Sequence, residues 1–440
     1  MSRQPRQNRD PIGLALSSMT RLASSPWLDR LGMRTPVEKA AYQGTKAGFR
    51  TLSLAAREVS RVSSWLPRNK LPNRQSQDLF DLSLDEDQTI IVDTLQRLAA
   101  DVLRPAAAEA DEAAAMPARV FEAANELGLA LYAIPEPFGG VAEYQSPVNS
   151  VLIAEQLAYG DMGLALALLA PFGVAQAITQ WGTGAQQSSF LPLFCEADAP
   201  IATIAVDEPT PLFDPRQLQT HARRSNDGFE LTGSKSGVVL GEVSDLILVA
   251  AELEGLPRLF LVPGGVDGLH RTADPGMGLR AAQLARLDFD RVALPKEALL
   301  GDDTFDYDNF LDRASLMRCG LAIGTAQAVL DYVISYCNER TAFGEPISHR
   351  QSVAFMISNM AIETDSMRLL TWRAASRAES GMSWHREASL ARLLCNEKAM
   401  ETGTQGVQLL GGHGFVKEHP VERWYRDLRS VAVHFGGAHA

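Results

Sequence analysis

The spacing of apolar positions divides the chain into stretches of different period. From residue 82 to about 194 the period is helical. Ser83 is a candidate cap for a helix running into the early 100s. Asp85, Glu86 and Asp87 would lie in its first turn, where acids complement the helix dipole. Further helices are expected over 118–128, 149–159 and 162–180, and the breaker-rich IPEPFGG at 134–140 reads as a turn. From about 201 to 301 period two and short apolar runs take over. IATIAV, FELTG, GVVL, DLILVAA, PRLFLV and LARLDFDRVALP predict seven or eight short strands between Gly, Asp and Pro turns. Long helical periods return over 311–341, over 350–380, and from 383 past Gly406.

The expected fold class is therefore α+β and multidomain. A basic N-terminal extension and linker (1–79) precedes an all-α domain (80–198), a middle β-barrel-like domain (199–303) and a C-terminal helical bundle (304–440). Within the extension, 36–65 has helical spacing, with Leu52, Ala55, Ala56, Val59 and Val62 on one side and Lys46, Arg50, Arg57 and Arg61 between them. Thr35, Pro36 and Glu38 fit a capping box with proline at the first helical position.

Charge sharpens this division. Residues 1–74 hold 14 Lys and Arg against 4 Asp and Glu, and the remainder holds 27 against 49. A basic amphipathic helix on an acidic body suits an anionic membrane surface, a protein partner, or packing on its own body. The acidic body repels nucleic acid, and no nucleic-acid fold motif is present, so nucleic-acid binding is not expected. The longest apolar run, 162–175, has 14 residues including Pro171. A membrane span needs roughly 20, so a buried core helix is expected there. Four scattered cysteines indicate neither a disulfide framework nor a zinc site. They fit a reducing compartment, and the expected setting is cytoplasmic, peripheral to a membrane if the arm binds one. There is no G-x-S-x-G elbow, which argues against a hydrolase.

Several motifs carry candidate chemistry. In QLLGGHGF (408–415) the glycines expose backbone that can approach a flat ring or a phosphate. In ERTAFGEPISHRQ (339–351), Arg340 offers charge for phosphate oxygens and Phe343 an aromatic face. These segments, with IPEPFGG and IAEQLAYGD (153–161), AVDEP (205–209) and PVERWYRD (420–427), resemble the acyl-CoA dehydrogenase family of flavoproteins over nearly the whole body.

The resemblance implies α,β-dehydrogenation of an acyl-CoA thioester with FAD as hydride acceptor, an oxidoreductase role in fatty-acid metabolism, and a homodimer or homotetramer. It places the cofactor on Val206, Asp207, Gly237, Val239, Arg340, Phe343, Gln351, Gln408, Gly411, Gly412 and Gly437. In the family one subunit's FGxxI and QxxGGxGF regions hold the pyrophosphate and adenine of FAD bound mainly by its neighbour.

The chain departs from the family at the redox end. Most members place the catalytic glutamate in a Tyr-Glu-Gly-Thr segment, and Phe435 stands at that position here. The alternative glutamate position, on the first long C-terminal helix, holds Ala314. Asp207 replaces a usual threonine, and Gly237 and Val239 replace the Trp-x-Thr pair whose ring borders the flavin and whose hydroxyl bonds N5. The remaining candidates for a base are Asp312, Asp207 and His434, each also readable as a capping, solvated or turn residue. A non-catalytic homologue, docking as a scaffold or subunit through its basic arm, is the alternative expectation.

Overall fold

The structure, a computed structural model, describes residues 83–196 and 198–434. The predicted helix at 36–65, Phe435 and Gly437 lie outside the described residues. The described residues fall within one compact unit, Phe80–Ala440.

The first helix, α1 (Glu86–Leu98), is capped by Asp85 rather than Ser83. Asp85 Oδ1 accepts from Gln88 N–H at 2.7 Å, and the Gln88 side chain accepts from Asp85 N–H at 3.2 Å. Ser83 also stands three residues before an acid, Glu86, but the reciprocal contact that closes the first turn is the one between Asp85 and Gln88. The helix does not stop in the early 100s. A π-helical stretch, Ala99–Leu103, carries it into α2 (Arg104–Ala113). Next come α3 (Ala118–Leu127), α4 (Pro147–Gly160), α5 (Met162–Trp181) and a short α6 (Gly184–Phe190). By length and composition α5 would pass as a membrane span, but most of it is buried inside the protein, as the helical core reading of this run expects.

Seven strands form one sheet: β1 (Ala202–Ala205), β2 (His221–Arg224), β3 (Gly228–Val238), β4 (Leu246–Leu253), β5 (Leu256–Pro263), β6 (Leu269–Ala273) and β7 (Ala285–Pro295). The run GVVL does not make its own strand, because β3 continues from FELTG as far as Val238 through two irregularities in its register with β7. The strand β4 pairs along one edge with β5. On the other edge β1 takes Leu246–Val249 and β2 takes Glu252–Leu253, both parallel. The chain between β1 and β2 must therefore leave the sheet and return to the same edge. That excursion carries Asp207 and Glu208.

The C-terminal part comprises α7 (Tyr307–Glu339), a two-residue hairpin β8–β9 (Thr341–Ala342, Glu345–Pro346), α8 (Gln351–Glu379), α9 (His385–Leu410) and α10 (Val421–Ser430). Close approach of α7 to α4 depends on small residues. A Cβ added at Gly324 would lie 2.0 Å from the Glu155 carbonyl oxygen, and one at Gly320 would lie 2.9 Å from that of Val151.

Gly324→Ala should therefore destabilise the fold by about 1–3 kcal/mol or more through overpacking. Gly184→Ala, whose added methyl would meet nothing within 4 Å, should leave thermal unfolding almost unchanged. Melting curves of the two variants side by side check this.

Candidate active site

Two adjoining cavities lie where α5, α7 and the sheet meet. The smaller, about 60 Å³, is bordered by Val206, Asp207, Gly237, Val239, Arg318 and His434. The larger, about 130 Å³, runs between α5 and α7 and shares Leu166, Ile204, Val239, Arg318 and Leu321 with the first.

The first cavity's shape is set by a buried ion pair. Lys235, in β3, is fully buried and donates through Nζ to Glu208 Oε1 at 2.8 Å and to the Val206 carbonyl at 2.9 Å. Glu208 also accepts from the backbone N–H groups of Gln219 and Thr220. One side chain from the strand and one from the excursion thus fix both ends of that excursion. Burial pushes the Lys235 ammonium down to about 8, opposed by the Glu208 carboxylate. The motif scan singled out neither residue for this role. The signal was available as Glu208 in AVDEP and the one lysine of β3.

Asp207 follows Val206, and its carbonyl accepts from Ser236 N–H at 3.0 Å. Its Oδ2 lies 2.8 Å from His434 Nδ1. Gly237 makes that pairing possible. It has φ +60°, and a Cβ placed on it would sit 2.9 Å from His434 Cε1. The ring of His434 therefore occupies the space beside Gly237. Arg318 completes the group by donating to the His434 carbonyl, and burial pushes its guanidinium down to about 10.

The sequence candidates thus divide into three sets. Val206, Asp207, Gly237, Val239 and His434 come together around one cavity. Ala314 lines the larger cavity with a methyl group. Asp312 lines neither cavity, and its Oδ2 pairs instead with His385 Nδ1 at 2.6 Å, where burial raises the carboxyl above its usual range.

The other cofactor candidates lie at the end of the helical bundle. Arg340 follows α7, Gln351 opens α8, Gln408 is in the last turn of α9, and Gly411 and Gly412 follow it. Tyr336 and His413 join the end of α7 to the glycine turn through a 3.1 Å hydrogen bond. Phe343 stands at the hairpin tip with φ +56°, 96% exposed, with the Arg350 guanidinium 5.6 Å from its ring centre. An added Cβ at Gly411 or Gly412 would meet nothing within 4 Å. The backbone there is accessible, and with the exposed Arg340 it fits the phosphate end of a dinucleotide.

The charges of α10 tie these parts together. Arg423 pairs with Asp161, the cap of α5, at 3.0 Å. Asp427 accepts from Leu279 N–H at 2.6 Å, and Arg426 forks onto both Asp111 oxygens at 2.8 and 2.9 Å. Burial, reinforced by Asp161, pushes Asp427 up to about 8.

A helical domain, a curled sheet and a helical bundle meeting around two adjoining cavities are the architecture that the resemblance to acyl-CoA dehydrogenases implies. Comparison with known families agrees along the chain. Residues 85–198, 203–292 and 308–438 match the family models described as acyl-CoA dehydrogenase N-terminal, middle and C-terminal domains. The mitochondrial short-chain specific acyl-CoA dehydrogenase of Bos taurus is 30% identical over 367 residues, 81% of this chain and 88% of that protein. Cyclohex-1-ene-1-carbonyl-CoA dehydrogenase of Geobacter metallireducens is 29% identical, over 80% of this chain and 95% of its own. Butyryl-CoA dehydrogenase from Megasphaera elsdenii superposes with a TM-score of 0.75 at 27% identity, covering 82% of this chain and 97% of that one. The chain belongs to the acyl-CoA dehydrogenase family. The general chemistry is that of an FAD-dependent oxidoreductase acting on the CH–CH bond of an acyl-CoA.

Removing one partner of the Lys235–Glu208 pair leaves a buried charge alone. Lys235→Met should cost about 3–5 kcal/mol, measured by chemical denaturation. Adding Glu208→Gln should recover part of that loss, because the uncompensated charge is gone.

Proposed function

We propose that this protein binds an acyl-CoA and FAD but removes the α proton poorly by the family's usual route. Ala314 carries the reading: at one of the two family base positions, the cavity wall presents a methyl group. The other base position is Phe435 in the sequence. Neither side chain accepts a proton, and losing a general base typically lowers the rate by about 10²–10⁴-fold.

FAD, when bound, supplies the acceptor for the β hydride. Arg340, Gln351, Gln408, Gly411 and Gly412 would hold its adenine and pyrophosphate end, and Val206, Asp207, Gly237 and Val239 its ring end. Among the cavity-lining residues, Asp207 and His434 form the one carboxylate–imidazole pair. With Nδ1 turned to Asp207, the other ring nitrogen of His434 is the candidate acceptor for slow residual proton transfer. Phe343, Phe355, Ile362 and Phe415 are exposed apolar side chains on or beside the bundle helices, and they support assembly as a homodimer or homotetramer. A second reading, a non-catalytic subunit docking through the basic segment 36–65, draws on the same missing carboxylates together with the charge of that arm.

Two measurements test these readings. Purified protein should show a flavin absorbance band, and Arg340→Ala should lose most of the flavin while keeping the wild-type circular dichroism. Unchanged flavin content would place the phosphates elsewhere. Ala314→Glu, assayed over a range of acyl-CoAs with an artificial acceptor, should raise turnover at least tenfold over a low wild-type rate. Flavin binding without any such gain favours the non-catalytic reading, and fast wild-type turnover overturns the proposal.

A further inference from the structure

The larger cavity carries positive charge that a plain hydrocarbon chain would not need. Its walls are mainly apolar, with Leu169, Ala177, Phe310 and Met317 among them. Two arginines of α7, Arg313 and Arg318, also line it, and no aspartate or glutamate does. The two differ in their surroundings. Arg318 borders both cavities, bonds the His434 carbonyl, and feels the charge of Asp207. Arg313 lines only the larger cavity, and its Nε donates to the neutral side chain of Asn309, one turn earlier, at 2.9 Å. Burial pushes its guanidinium below the usual arginine range, and no carboxylate opposes that push. A partly buried guanidinium in an apolar wall is unfavourable unless something brings it negative charge.

The positions along α7 give the geometry. Leu321 and Arg318 stand where the two cavities join, beside the Asp207–His434 pair. Met317 and Ala314 come next, and Arg313 and Phe310 lie at the far end. Five residues separate Arg318 from Arg313, a rise of about 7.5 Å along a helix axis. A thioester lying near the junction would send its acyl chain along this wall towards Arg313. A few methylene groups span that distance.

We propose that the acyl group taken by this cavity ends in a carboxylate held by Arg313, so that the ligand is the CoA thioester of a short dicarboxylic acid. The guanidinium fork suits a terminal carboxylate, which it can bind through two parallel hydrogen bonds. This proposal rests on the acyl-CoA reading of the site.

Calorimetric titration of the purified full-length protein with chain-matched thioesters tests it. Glutaryl-CoA and adipyl-CoA are compared with pentanoyl-CoA and hexanoyl-CoA. The dicarboxylic thioesters should bind at least about tenfold tighter, and Arg313→Met should level the two sets. Equal affinities in the wild-type protein overturn the proposal, whatever the variant does. A preference that survives Arg313→Met in a folded protein overturns the assignment to Arg313. If that variant does not fold, Arg313→Lys, which keeps the charge but loses the fork, should narrow the preference, and an unchanged preference counts against the guanidinium. Failure of every thioester to bind a folded wild-type protein would overturn the acyl-CoA reading beneath, a result distinct from equal binding of all four.

Discussion

Arg423 and Asp427, one turn apart on α10, are the buried polar side chains on which the arrangement of the three parts depends. Arg423 reaches Asp161 at the start of α5, and Asp427 takes the Leu279 N–H from the sheet domain. Arg426 adds the fork to Asp111 in α2. Polar groups so deeply placed are tolerated when each meets a partner, and removing one leaves its partner to bear the cost of burial. They make the position of a ten-residue helix specific. Apolar packing adds to this through Trp424, which is fully buried with the Arg104 guanidinium 4.8 Å from its ring centre. The chain leaving α10 then delivers Ser430, Val431 and His434 to the wall of the ring-side cavity.

The substitutions at that cavity form one physical set. A side chain at Gly237 would collide with His434, and the His434 imidazole meets the carboxylate of Asp207. The strand contributes a glycine and the excursion a carboxylate, with an imidazole in the space between. His434 lies against the strand because position 237 has no side chain. Arg313, next to Ala314 on α7, brings a charge to the wall of the larger cavity.

The two ends of the site also meet different demands. At the glycine turn after α9 the requirement is open backbone, and Gly411 and Gly412 satisfy it without help from neighbours. At the ring end the requirement is a loop held at both ends, which Glu208 and Lys235 provide from inside the protein. The first end is built from local sequence and the second from long-range contact.

That difference explains what could be read from the sequence. The helical, sheet and helical order was visible, because apolar periodicity is local and each element imposes its own repeat. The family was visible in short motifs such as GGHGF and AFGEP. The sequence did not reveal that Asp85 caps α1, since Ser83 also looks like a cap until the reciprocal Gln88 contact is seen. It named Asp207, His434 and Asp312 as equals. Only the tertiary structure decided that the first two form a pair at the cavity while Asp312 turns to His385, because contacts between residues 207 and 434 depend on how the excursion from the sheet and the end of α10 come together. Arg313 likewise looked like any helix residue. Its chemistry follows from the side of α7 that faces the cavity, and packing of α7 against α4 and α9 sets that side.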